Sequence, residues 1–238
     1  MSKSAKVTLV VLVVLFLDQW LKFWVKLNFE LGEEMPLFGD WGRLLFIENP
    51  GMAFGIELPG NLGKLLLSVF RIVAVGFLIY YIRLLMQQGA KLGLLLCFGL
   101  ILAGALGNII DSAFYGLIFS SSYHGGVAEF LPEGGGYAGL LYGNVVDMFY
   151  FPLFRGTFPD WLPGWGGDPF VFFRPVFNLA DAAISVGVVL LLLFHRDFFV
   201  EKPADAPPAQ LVTIDEQGVK THLPKDTPPE GPSPISRS

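Results

Sequence analysis

The sequence predicts an integral membrane protein, mainly α-helical. Four spanning helices are expected, with a small β-sheet and a second, Gly-rich segment on the outer side, facing the periplasm or the cell exterior. Three observations carry that expectation. Of 238 residues, 53% are hydrophobic and only 16% charged, and the mean hydropathy is +0.56. Soluble domains carry about 25% charged residues. Residues 7–25, 65–86, 92–110 and 176–194 each approach the ~20 apolar residues that cross ~30 Å of hydrocarbon. Finally, Lys and Arg gather where an even number of spans puts them on one side: Lys3 and Lys6, Arg83 and Lys91, Arg196 and Lys202. The positive-inside rule makes that side cytoplasmic and places both termini there.

The first span lacks a small-residue cleavage site and contains Asp18 and Lys22, so it reads as a retained helix rather than a signal peptide. The outer stretch 26–64 includes "GDWGRLLFIENPGMAFGIELPG". Its short apolar runs, bounded by Gly and Pro, predict a small antiparallel sheet lying on the membrane. A short basic connection joins spans two and three. The stretch 111–175 is rich in Gly, Phe and Pro, and "HGGVAEFLPEGGGYAGLLYG" is incompatible with a continuous helix. Span four opens at "FNLAD" and ends in a basic stop. From Pro203 the chain turns Pro-rich, which predicts a disordered cytoplasmic tail, 203–238, behind a membrane domain of 1–202. No basic run points to nucleic acid. Cys97 is the single cysteine, so an internal disulfide is excluded.

Charged residues in spans are costly and mark sites. Span three runs outward from Lys91, which puts Asp111 at its outer end. The rise between them, at ~1.5 Å per residue, is ~30 Å. Span four runs inward, so Asn178 and Asp181 also lie at the outer end. Asp18 and Lys22 occupy the outer half of span one, and Asp147 lies in the outer segment. The carboxylates therefore converge on one interface. Asn108-x-x-Asp111, Asn144-x-x-Asp147 and Asn178-x-x-Asp181 share a spacing that places Asn and Asp on one helical face, where the amide can hold the carboxyl. Structural alternatives stand beside each. Asp18 and Lys22 form an i,i+4 pair suited to mutual neutralisation. Asn108 and Asp111 fit a helix end, and Asn178 fits an N-cap. Asp181 lies past the first turn of the expected helix. Asp147 sits among Val145, Val146, Met148 and Phe149, a frame that raises a carboxyl pKa unless it is an ordinary loop residue. Two carboxylates in a half-dry site share a proton and can run aspartic-protease chemistry without metal or cofactor. His124, His195 and His222 show no metal-ligand spacing.

"DQWLK" at 18–22, "NPGMAF" at 49–54, "GALGNIID" at 104–111, "NVVDM" at 144–148 and "FNLAD" at 177–181 resemble, in order, the five sequence boxes of lipoprotein signal peptidase (signal peptidase II). The resemblance implies a four-span inner-membrane aspartic endopeptidase that removes signal peptides from prolipoproteins, cutting just before a diacylglyceryl-modified cysteine. It implies Asp147 and Asp181 as the catalytic pair. Asp18, Lys22, Asn49, Gly51, Asn108, Asp111 and Asn178 become structural or substrate-positioning residues, and Asn144 joins them from the fourth box. Membrane lipids and globomycin-type cyclic peptides become expected ligands. Three features depart from the family. Ser112 stands where an Arg usually follows the third-box Asp, and Arg71, in the outer half of span two, is expected to replace it, ahead of the less buried Arg155 and Arg174. A long Gly-rich insertion, 112–143, separates Asp111 from Asp147. The tail is longer than catalysis needs. The rival readings are a proton- or ion-coupled membrane protein, which requires ionisable groups through the whole depth, and a structural scaffold.

Overall fold

A computed structural model describes residues 1–39, 41–50, 60–172, 175–198, 211–214 and 220–223. The apolar segments fold as helices α1 (Lys3–Asn28), α2 (Gly60–Gln87) and α3 (Leu92–Ile110). The third is longer than expected. It continues through a π-helical turn, Asp111–Tyr115, into a last α-turn, α4 (Gly116–Ile118). All three are long and apolar enough to cross a membrane.

The fourth helix, α5 (Leu179–Phe194), is shorter than the expected 176–194. Val176 and Phe177 instead form strand β6, and the Asn178 side chain accepts from the Asp181 amide to start the helix. With 16 residues, α5 falls short of a full crossing. A helix needs about 20 residues to traverse the bilayer core.

The sheet draws on both long segments that lie between the apolar helices, 29–59 and 119–178. Strands β1 (Glu34–Phe38), β2 (Gly42–Asn49), β3 (Val145–Tyr150) and β6 (Val176–Phe177) pair antiparallel in the order β1-β2-β3-β6. A separate antiparallel pair joins β4 (Phe154–Thr157) to β5 (Pro169–Phe172). In β2 the inward register is Gly42, Leu44, Phe46 and Glu48. Leu44 and Phe46 enter a core with Val25, Phe29, Tyr115, Phe119, Val146 and Met148, which ties the sheet to the C-terminal ends of α1 and of the α3–α4 run. Exclusion of this apolar surface from water fixes β3, and with it Asp147, against the helices.

Helix packing relies on small residues, as expected where lipid removes the hydrophobic drive between helices. A Cβ on Gly107 would lie 2.6 Å from Asp18 Oδ2, and one on Gly187 would lie 2.8 Å from the Cys97 carbonyl oxygen. The outward faces are apolar: Leu12, Phe16, Phe70, Val73, Phe77 and Leu193 are all exposed. Such a belt is far larger than a soluble surface carries and marks a multi-pass membrane protein. Lys3 Nζ donates to the Gly89 and Ala90 carbonyls, and His195 lies against Gly93. The start of α1, the α2–α3 turn and the end of α5 thus share one side.

Residues 1–195 form one unit and 196–238 a second. In the second, β7 (Leu211–Ile214) pairs antiparallel with β8 (Lys220–Leu223), the strand pairing found among the described residues of the expected disordered tail.

Candidate active site

Two aspartates arrive at one place from different elements. Asp147 is the third residue of β3, and its neighbours Val145, Val146 and Met148 are buried with it. Asp181 stands in the first turn of α5, not beyond it, because the helix starts only at Leu179. The partial positive charge of a helix N-terminus complements a carboxylate there.

Two asparagines tie the acids together, and they do so crosswise. Asn178 Nδ2 donates to Asp147 Oδ1 at 2.7 Å, while its Oδ1 accepts the Asp181 amide at 2.9 Å. Asn108 Nδ2 donates to Asp181 Oδ1 at 2.8 Å. Asn178 Nδ2 also reaches Asn108 Oδ1 at 3.1 Å. Each amide therefore holds an acid from another box. The expectation that each Asn aims its own Asp is corrected most clearly at Asn144. In extended chain, residues i and i+3 face opposite sides. Asn144 accordingly turns away from Asp147, accepting from Lys64 Nζ at 2.6 Å and donating to Glu48 Oε2 at 2.8 Å.

Beneath the pair lies a buried ionic cluster. Lys22 is wholly buried and directs its three N–H bonds to Asp18 at 3.0 Å, Asp111 at 2.8 Å and Asn108 Oδ1 at 2.9 Å. Asp18 and Asp111 are also buried. Buried charges need hydrogen bonds beyond their ion pair, and backbone amides supply them here. Asp18 Oδ1 accepts the amide of Ala180, and Asp111 Oδ2 accepts the amide of Val146. These are the residues immediately before Asp181 and Asp147. The structural acids thus grip the backbone that aims the two candidate catalytic acids. Gln19, not singled out from sequence, donates to Asp111 Oδ1 at 2.9 Å and accepts from Tyr115 Oη at 3.1 Å.

Arg71 Nη1 donates to Ser112 Oγ at 3.0 Å, so the guanidinium from α2 reaches the position after Asp111. Arg155 lies exposed on β4, and Arg174 lies outside the described residues. Asn49 closes β2 opposite Val145, and Gly51 lies outside the described residues.

Asp147 is electrostatically unusual. Burial, and then the Asp181 charge, push its carboxyl up to about 7, against the pull of Lys22 and the Asn178 hydrogen bond. A carboxyl that keeps its proton near neutrality beside a second carboxyl has the composition of a shared-proton dyad.

A second buried group was not foreseen from the sequence: Lys26 pairs with Glu48, and Ser122 donates to Glu48 Oε1. Its signals were available. Asp18, Lys22 and Lys26 recur every fourth residue on an apolar helix, and Glu48 occupies the inward register of β2.

Comparisons with known proteins agree on one family. The family profile described as signal peptidase (SPase) II matches residues 10–196. A lipoprotein signal peptidase of Porphyromonas gingivalis is 53% identical over 190 residues, covering 79% of this chain and 82% of that protein. One of Amoebophilus asiaticus is 39% identical over 210 residues, covering 87% and 84%. One of Chlorobaculum parvum is 32% identical over 193 residues, covering 80% and 95%. A solved bacterial membrane enzyme structure shares the fold, with a TM-score of 0.53 at 20% identity, covering 85% of this chain and 95% of that one.

Proposed function

The chain belongs to the signal peptidase II family of membrane proteases, and we propose that it removes signal peptides from prolipoproteins through an aspartic dyad of Asp147 and Asp181. The observation that carries this reading is the crosswise hold on the two acids by Asn178 and Asn108. Asp147 holds the proton, as its raised pKa favours. Asp181 takes a proton from a water, which attacks the carbonyl carbon of the scissile bond. Asp147 protonates the carbonyl oxygen and takes that proton back as the intermediate collapses. Collapse of the tetrahedral intermediate breaks the C–N bond, and the proton gained by Asp181 passes to the leaving amine. The products are a signal peptide with a new carboxylate and a chain beginning with the diacylglyceryl-modified cysteine.

Asp18, Lys22, Asn108, Asp111 and Asn178 position the dyad, and Arg71 supplies the cation that Ser112 does not. Four apolar helices lie in the inner membrane, the shorter α5 crossing together with the extended residues 176–178 that lead into it, with both termini cytoplasmic and the dyad at the periplasmic face. The side shared by Lys3, the α2–α3 turn and His195 supports that orientation. The lipid-modified cysteine keeps its acyl chains in the bilayer and presents the scissile bond at the depth of the dyad.

The test is cleavage of a diacylglyceryl-modified prolipoprotein by the purified protein. Wild type is expected to cleave, and folded Asp147→Asn and Asp181→Asn to lose activity by at least about a thousandfold. Robust cleavage by either variant would remove that residue from the dyad.

A further inference from the structure

Helix α2 presents three polar side chains at i, i+4 and i+7, all turned toward the rest of the protein. Lys64 donates to Asn144 Oδ1, Ser68 Oγ to the Leu141 carbonyl, and Arg71 to Ser112 Oγ. Arg71 is the end nearest the dyad. The other end, Lys64, lines a cavity of about 540 Å³ together with Tyr123, Tyr137, Tyr142 and Asn144. That volume lies within the range of small-molecule sites, roughly 300–1,000 Å³.

The cavity is rich in donors. An ammonium has three N–H groups, and Lys64 spends one on Asn144. Among the described residues it belongs to no ion pair. The nearby negative charge, Glu48, is already engaged by Lys26, Ser122 and the Asn144 amide, which stands between it and Lys64. Tyr137 Oη accepts the Asn144 amide at 2.7 Å, which leaves its own proton to donate. Burial, and then the Glu48 charge, push the Tyr137 phenol up, so that proton stays in place. A cation, phenolic donors and aromatic faces together suit a carboxylate carried on a short apolar stem.

Position narrows the source. Asn144 lies on the cavity wall and Asp147 follows it by three residues in extended chain. Lys64 and Arg71 stand two helical turns apart along α2. Three residues of strand and two turns of helix cover nearly the same distance, on the order of 10 Å. Lys64 is the member nearer the outer end of the helix. A polypeptide leaving the scissile bond toward water covers the same distance in about three residues.

We propose that this cavity is a subsite for an acidic side chain of the substrate, about three residues beyond the scissile bond on the mature side. The proposal rests on the peptidase reading above. The Gly-rich insertion, which supplies Tyr123, Tyr137 and Tyr142, then acts as a specificity element.

The experiment compares diacylglyceryl-modified substrates that carry Asp, Asn or Lys at the second, third or fourth residue of the mature chain. Wild type is expected to favour Asp over Asn in kcat/KM by about tenfold at one of these positions, the worth of a charge-assisted hydrogen bond. Lys64→Gln should abolish that ratio, and Lys64→Glu should turn it toward the Lys substrate, a reversal that no purely structural role produces. Tyr142→Phe, a second and milder variant, should shrink the ratio about two- to threefold. Equal cleavage of Asp and Asn substrates by wild type, or an unchanged ratio in Lys64→Gln, overturns the subsite and leaves the peptidase intact. The subsite is equally overturned if the Lys64 variants respond to anionic against zwitterionic lipid without any substrate ratio, which assigns the cavity to a headgroup. Failure of wild type to cleave any substrate removes the peptidase reading and the subsite with it.

Discussion

Asp147 holds its proton because the fold buries it and then sets Asp181 beside it, while Lys22 and Asn178 only partly offset the two. The consequence for stability has a definite sign. Below about pH 4 a carboxyl is protonated in both folded and unfolded chains, and its burial costs little. As pH rises, the unfolded chain ionises first and the folded one resists until about 7. Stability therefore falls through that window, and the full penalty stands above it. Asp147→Asn keeps an acceptor for Asn178 but carries no charge. It should melt higher than wild type at pH 8, by roughly a few kcal/mol, with the difference vanishing near pH 4. Thermal denaturation in detergent at the two pH values checks this. The proposed mechanism makes Asp147 the proton donor, so wild-type kcat/KM should decline above about pH 7 as it ionises. The residues of this site were legible as boxes, but their partners were not. The N-x-x-D spacing points each Asn at its own Asp, whereas Asn108 reaches Asp181 across 73 positions. Only the packing of α3 on α5 makes that pair.

At the scale of elements, the third helix does not stop at Asp111 but widens into a π-turn, a feature often found at functional sites. The insertion straps that end: Gly143, Leu141 and Ala138 donate their amides to the carbonyls of Ser112, Ala113 and Gly116. Gly143 packs directly on the Asp111 carbonyl, an approach that only glycine permits. Ser112 sits within this turn and receives Arg71 from α2, so a neighbouring helix supplies the guanidinium. Arg71→Ala should lower kcat/KM at least about tenfold, and adding Ser112→Arg should restore most of it. Restoration measures whether position or origin matters, since the two residues are in direct contact and should couple strongly. Activity unchanged in Arg71→Ala would remove Arg71 from the site. The helices themselves were legible, because a run of ~20 apolar residues suits little besides a membrane span. The start of α5 was not. Val176 and Phe177 are as apolar as any helix residue, and what makes them a strand is pairing with Tyr150 and Phe149 far earlier in the chain.

For the whole molecule, the described groups of the proposed site lie within residues 1–195. Asp18 and Lys22 come from α1, Arg71 from α2, Asn108 and Asp111 from the α3 region, and Asn178 from the cap of α5. The family profile ends at residue 196, close to the same boundary. A chain can lose a segment without loss of function when the removed backbone holds none of the site's hydrogen bonds. Every described hydrogen bond to Asp147, Asp181, Asn108 and Asn178 is made within 1–195. The tail is also Pro-rich and poor in large apolar residues, so its sequence offers little apolar surface for a core. Deleting 203–238 should therefore leave kcat/KM on a modified prolipoprotein within about twofold of the full chain. The deletion keeps Arg196 and Lys202, the basic stop behind α5, so orientation should hold as well. Cleavage rates normalised to membrane-inserted protein decide the matter. Lost activity at normal abundance would show that the tail takes part in catalysis, while lost abundance at normal specific activity would make it a determinant of biogenesis.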